Sequence, residues 1–219
     1  ENCSVALWQD GHLASREELL TRGHAERILP MVDELLRSSG VPLSALAAIA
    51  FGRGPGAFTG VRLAASVTQG LAFGAGVPVV PVSDLAALAQ RVLDAEPAAR
   101  RVLVCNDARM HELYWGCFER GEDGYAGSSG EERVGGLDSI TLPTPWAQGV
   151  HATGSGFSAY PGLRAALGAS LERVHEGLWP RAAEIARLAV PLVHAGTVLP
   201  AAEALPVYLR DQVAHVRPQ

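Results

Sequence analysis

The chain has 219 residues, 48% of them hydrophobic and only 6% aromatic, enough for one sizeable core or two small ones in succession. Its formal charge is -5 and its sequence pI about 5.8, so the molecule as a whole has no electrostatic bias toward a polyanion. All 18 basic residues are arginine, which excludes a lysine-dependent phosphate loop and a lysine Schiff base.

Cys3 to Trp8 has β character, and Gln9-Asp10-Gly11-His12 reads as a hairpin turn into Leu13 and beyond. The stretch begins as though already inside a hairpin, so a first strand is expected to precede Glu1. From His24 to Ser39 the period changes to that of a helix, with Ile28, Leu29, Met31, Val32, Leu35 and Leu36 on one face and Gly40 as the stop. These six cover an arc of roughly 160°, wider than a surface helix needs for its own core, and the excess suits a second contact surface. Pro30 is tolerable if the helix proper begins one residue before it.

Ala45 to Gly52 suits a buried strand, and it runs into Phe51-Gly52-Arg53-Gly54-Pro55-Gly56-Ala57-Phe58-Thr59-Gly60-Val61-Arg62. Four glycines and a proline there demand a tight strand-to-helix turn with close backbone approach. Val61 to Gly74 reads as a helix of unusually small side chains, among them Ala64, Ala65, Ser66, Gly70 and Ala72. Each interior glycine costs about 1 kcal/mol relative to alanine, so close approach is expected in return, either to a partner helix or to the chain's own sheet. Val77 to Val82 is a short strand, and a helix follows from Ser83 to Leu93 with Ser83 or Asp84 as N-cap.

A second unit begins after Glu96-Pro97-Ala98-Ala99-Arg100. Arg101 to Asn106 and Glu112 to Glu119 read as strands, Gly121 to Gly136 as an exposed loop, and Val150 to Gly156 as a strand with a glycine turn. Pro180 to Ala195 reads as a helix and Pro206 to Leu209 as a terminal strand. The expected architecture is two tandem α/β subdomains, residues 1–100 and 101–219.

The candidates for chemistry are thin. Gly54 to Gly60 opens a helix N-terminus and could hold an anion, but it fits neither the dinucleotide nor the phosphate-loop pattern, so a packing turn is the simpler reading. Thr153-Gly154-Ser155-Gly156 stands the same way. Cys3, Cys105 and Cys117 form no CxxC pair and read as reduced thiols. The seven histidines include no pair at i+3 or i+4, Ser155 and Ser158 lie in no GxSxG elbow, and Asp107 with Glu112 reads as solvated turn residues. Arg91, Arg100, Arg101 and Arg109 could cluster locally as a route to direct nucleic-acid contact, against the net charge of the chain. Leu63 to Ser83 lacks charge but is broken by glycines and prolines, so no membrane span is expected, and no signal peptide is read.

At Phe51 to Arg62 the sequence resembles the bacterial TsaB family, also called YeaZ, whose signature is a GRGPG(S/A)FTGVR turn. Further matches lie in order at residues 1–8, 24–31, 69–74, 107–110 and 206–210. The resemblance implies an actin-like, ribonuclease-H-like (ASKHA) fold and a non-catalytic subunit that supports TsaD, the enzyme forming threonylcarbamoyladenosine beside the anticodon of certain tRNAs. It implies a TsaD heterodimer, a homodimer in its absence, and TsaE, an ATPase, as a third member. tRNA is met only through the complex, in the cytoplasm, with no cofactor of the chain's own. The first two helices would form the interface, here Met31, Val32, Leu35, Leu36, Leu63, Val67, Gly70, Leu71, Phe73 and Gly74. Where TsaD-like relatives carry a His-x-x-x-His metal pair, this chain has Asp84 and Leu88, and leucine cannot ligate a metal. The rival reading is an enzyme of the same superfamily, an ATP-binding phosphotransferase or a glycoprotease-like metallopeptidase.

Overall fold

A computed structural model describes residues 2–210. The chain opens with the hairpin β1 (Asn2–Gln9) and β2 (His12–Leu19), paired from Asn2↔Leu19 to Gln9↔His12. Asp10 and Gly11, both at positive φ, supply the two-residue turn that the sequence reading placed there. Helix α1 (His24–Ser39) stops at Gly40, whose φ of 67° lets its amide reach back to the carbonyls of Leu36 and Arg37. Its start is anchored by a forked contact from Arg27 to the Glu18 carboxylate on β2, with bonds of 2.6 to 2.9 Å. Pro30 lies within the helix, six residues after its start, and not at its first turn as expected; it is exposed there.

Then follow β3 (Ile49–Gly52), α2 (Phe58–Ala75), β4 (Val79–Val82) and α3 (Asp84–Ala95). Helix α2 begins three residues earlier than expected, because Ala57 offers its carbonyl to the Val61 amide at 3.0 Å. The Ser83 hydroxyl caps α3 by accepting from the amides of Leu85 and Ala86, both at 3.1 Å. Strands β3 and β4 are parallel, as the strand–helix alternation implies.

The second half comprises β5 (Arg101–Asp107), β6 (Leu113–Arg120), β7 (Ala126–Ser128), β8 (Arg133–Gly135), β9 (Val150–Thr153), α4 (Gly156–Ala159), α5 (Gly162–Leu167), β10 (Leu171–His175) and α6 (Ala182–His194). Its mixed sheet runs β10-β9-β5-β6-β7, with β8 also on β6. The expected loop at 121–136 therefore carries two short strands, since β6 offers it an unpaired edge. The expected strand at Pro206–Leu209 does not form; Val207 makes one bridge, its amide donating to the Arg53 carbonyl at 2.7 Å.

Two helices cross over between the halves. Leu85, Leu88, Val92 and Leu93 of α3 pack on Val102, Val104 and Phe118 of the second half's sheet. In return Ile185, Leu188 and Ala189 of α6 pack under Val80, Val82 and Ala50. On the opposite face, Ala65 and Ala72 of α2 cover Phe51 and Val79.

Candidate functional site

The glycine-rich turn between β3 and α2 is a junction of backbones. A Cβ at Gly52 would stand 2.1 Å from an Asp84 carboxyl oxygen, and Gly54, at φ 93°, lies close to the Val207 carbonyl. Gly54 also accepts from the Asp84 amide at 3.0 Å. Close approach to α3 and to the C-terminal segment thus accounts for Gly52 and Gly54, whereas a Cβ at Gly60 would meet nothing within 4 Å. The same holds at Gly154 and Gly156, where a Cβ would strike the Cys105 carbonyl. Both turns are packing turns of the kind the composition favours.

Beside the first turn sits a polar group drawn from both halves. Glu132, from the segment between β7 and β8, receives the Ser83 hydroxyl and pairs with Arg53 at 3.1 Å. The Asp84 carboxyl, enclosed by the glycine turn, is pushed up to about 7, first by loss of water and then by the charge of Glu132, against the Gly54 amide and Arg53. Asp84 and Leu88 share α3, but Leu88 is sealed in the core.

The ten residues expected at the interface divide three ways. Met31 and Leu35 are 1% and 3% exposed, covered by their own chain, and so are not surface. Val32, Leu36, Leu63, Val67 and Leu71 are half-buried and line a cavity of about 1160 Å³ that is bounded as well by Ile185 and Ala189 of α6. Much of the surplus arc of α1 therefore faces inward. Gly70, Phe73 and Gly74 are exposed, Phe73 by 82%, and a Cβ at either glycine would meet nothing within 4 Å. Close approach to the chain's own sheet does not explain those two glycines. At the other end of α2, Phe58 and Tyr208 are also exposed, with the Arg62 guanidinium 3.5 Å over the Phe58 ring and its Nε donating to the Tyr208 hydroxyl at 2.7 Å.

Other candidates stay apart. Asp107 accepts from the Tyr160 hydroxyl and Arg109, whereas Glu112 pairs with Arg210. Arg91 donates to the Trp179 carbonyl and Arg101 pairs with Glu119, so these members of the suggested arginine cluster are engaged separately. All three cysteines are buried and free, and burial pushes the Cys117 thiol up to about 12. One contact escaped the sequence reading: His151 on β9 and His175 on β10 stack, with Nδ1 and Nε2 2.9 Å apart. A helix-spacing search cannot find a pair assembled across strands.

The β1–β2 hairpin, the parallel β3–β4 pair and the six-stranded mixed sheet of the second half, with α2, α3 and α6 packed against them, make an α/β protein of the ASKHA type, as the comparisons with known proteins bear out. A family model described as TsaD, tRNA N6-adenosine threonylcarbamoyltransferase, matches residues 17–215. The chain is 40% identical over 215 residues to the tRNA threonylcarbamoyladenosine biosynthesis protein TsaB of Escherichia coli K12, covering 98% of this chain and 92% of that one. It is 51% identical over 115 residues to TsaB of Haemophilus influenzae, 52% of this chain and 48% of that one. A crystal structure titled YeaZ from Pseudomonas aeruginosa superposes with a TM-score of 0.84 at 42% identity, covering 95% of both chains. Another from that organism, described as an uncharacterized protein with similarity to peptidase YEAZ, gives 0.87 at 43%, covering 96% of this chain and 95% of that one. The chain belongs to the TsaB family, within the wider TsaD-like group.

Proposed function

We propose that this chain is the supporting subunit of a threonylcarbamoyladenosine-forming complex, pairing with TsaD and leaving the transfer step to it. TsaE with ATP joins the pair, a homodimer forms when TsaD is absent, and tRNA is met only through the assembly, in the cytoplasm. The observation that supports this is the unpartnered stripe on α2: a fully presented Phe73 flanked by two glycines with open space where side chains would be. Such a stripe admits a neighbouring helix at short distance, and an aromatic at its edge supplies the apolar area. The interface is drawn from Gly70, Phe73 and Gly74, with Val32, Leu36, Leu63, Val67 and Leu71 behind them; Met31 and Leu35 support it from inside. Residues 1–100, which carry the interface helices, and 101–219 are the two α/β subdomains of this subunit.

The test mixes the chain with TsaD of the same organism and follows tRNA modification and complex mass. Modification should depend on the chain, and Phe73→Asp should abolish co-migration with TsaD while leaving the melting transition in place. Equal modification without the chain, or an unchanged complex with Phe73→Asp, overturns the proposal.

A further inference from the structure

Helix α2 presents a second exposed group on the face that carries Phe73. At about 100° per residue, Arg62 and Phe73 lie within roughly 20° of each other around the helix, and a rise of about 1.5 Å per residue places them roughly 16 Å apart along it. Both are exposed. Arg62 is held in place: its guanidinium carbon sits 3.5 Å over the Phe58 ring and 5.5 Å from the Tyr208 ring, and its Nε donates to the Tyr208 hydroxyl at 2.7 Å. Tyr208 is itself fixed on both sides, by the Val207 amide on the Arg53 carbonyl and by Arg210 on Glu112 and the Ala108 carbonyl.

This clamp uses the faces and the Nε of the guanidinium. Both terminal nitrogens, Nη1 and Nη2, are left without a carboxylate among the described residues. An arginine has much rotamer freedom to lose, so one pinned at the surface is preorganised for a ligand. Two planar N–H donors side by side match the two oxygens of a carboxylate. A polyanionic backbone is the poorer fit, because the arginines next to this clamp are already matched: Arg109 pairs with Asp107 and Arg210 with Glu112. Helix α2 itself, Phe58–Ala75, holds no acidic residue, so a second copy laying its α2 along this one brings no carboxylate to the fork.

We infer that Arg62 is the polar anchor of the α2 face and takes a carboxylate from the partner. This rests on the reading of α2 as the surface that meets TsaD, and adds a chemistry to it. The partner helix that receives Phe73 carries an aspartate or glutamate about three turns away, and its carboxylate accepts from both terminal nitrogens of Arg62. The pair selects a partner that holds the acid over a second copy of this chain.

The test titrates the chain with TsaD of the same organism at several salt concentrations, beside self-association of the chain alone. Arg62→Gln should weaken the TsaD complex by about ten- to a hundredfold and lower its salt dependence, with self-association and the melting transition unchanged. Arg62→Lys, which keeps the charge but not the fork, should recover only part of that loss, and Tyr208→Phe, which releases the guanidinium, should weaken the complex by about threefold. Binding to TsaD unchanged by Arg62→Gln overturns the inference and leaves the partner reading standing, whereas failure of the unaltered chain to bind TsaD overturns both. An equal loss of self-association assigns the carboxylate to a second copy, an equal loss in Asp211→Asn assigns it to this chain's own end, and a loss confined to RNA binding assigns the fork to phosphate. Each of these three outcomes overturns the inference.

Discussion

The two halves use the same alternation of strand and helix yet differ in completeness. In the second half β5 is flanked on both sides, by β6 and β9, and the residues it buries are wholly enclosed: Leu103, Cys105, Val102 and Val104. In the first half β1 and β3 are each paired on one edge among the described residues, and their helices, α1 and α2, face a cavity with half-buried leucines and valines. The difference teaches where the molecule keeps its stability and where it leaves apolar surface uncovered. The second half is a closed scaffold, and the first is an open platform whose helix α2 also presents Phe73 outward.

The largest effect that sharpens this contrast comes from matched truncations. Leu103→Ala should cost about 2–5 kcal/mol, whereas Leu63→Ala, at the cavity, should cost less than about 1 kcal/mol, both read from urea midpoints. Equal losses would remove the distinction between scaffold and platform. Next is the tie between the halves: Glu132→Ala strands Arg53 and the Ser83 hydroxyl and should cost about 1–3 kcal/mol, with faster exchange of the amides around β8.

Smaller effects appear as pH slopes of opposite sign. Asp84 has its folded pKa raised to about 7, so the unfolded chain gives up that proton first. Its burden on stability grows as pH rises from about 4 to 7. Asp84→Asn should flatten that part of the profile and raise the melting temperature at pH 8. His175 is pushed down, first by burial and then by His151 and Arg173. Its contribution is intact above about 6.5 and is lost as pH falls below it, where the unfolded chain takes the proton first. His175→Gln should remove that acid-side loss, and an unchanged acid limb would show that the stacked pair does not couple to folding.

Much of the architecture is legible in the residues. The His24–Ser39 helix is found to the residue because Gly40 closes a 3.6-residue apolar period, and Ser83 caps α3 through its own hydroxyl. The GRGPGAFTGVR turn, with the ordered matches at residues 1–8, 24–31, 69–74, 107–110 and 206–210, carries the family resemblance. What failed to read correctly depended on partners distant in sequence. The segment 121–136 looks like a loop until β6 offers it an edge, and Pro206–Leu209 looks like a strand until a single bridge to Arg53 replaces a ladder. Helix periodicity marks α1 as having too wide an apolar face, but it does not say that Met31 and Leu35 are enclosed while Val32 and Leu36 line a cavity.

By itself, then, the sequence determined the four long helices, though not the short α4 and α5, and that no lysine chemistry is available, because caps, periods and residue types act within a few neighbours along the chain. Only the tertiary structure decided that α3 and α6 trade halves, that His151 meets His175, that the first half's sheet is split, and that Phe73 rather than Leu35 faces outward. Those outcomes hang on which surfaces far apart in the chain come to lie against each other, and burial against a distant element leaves no local mark on the residues it covers.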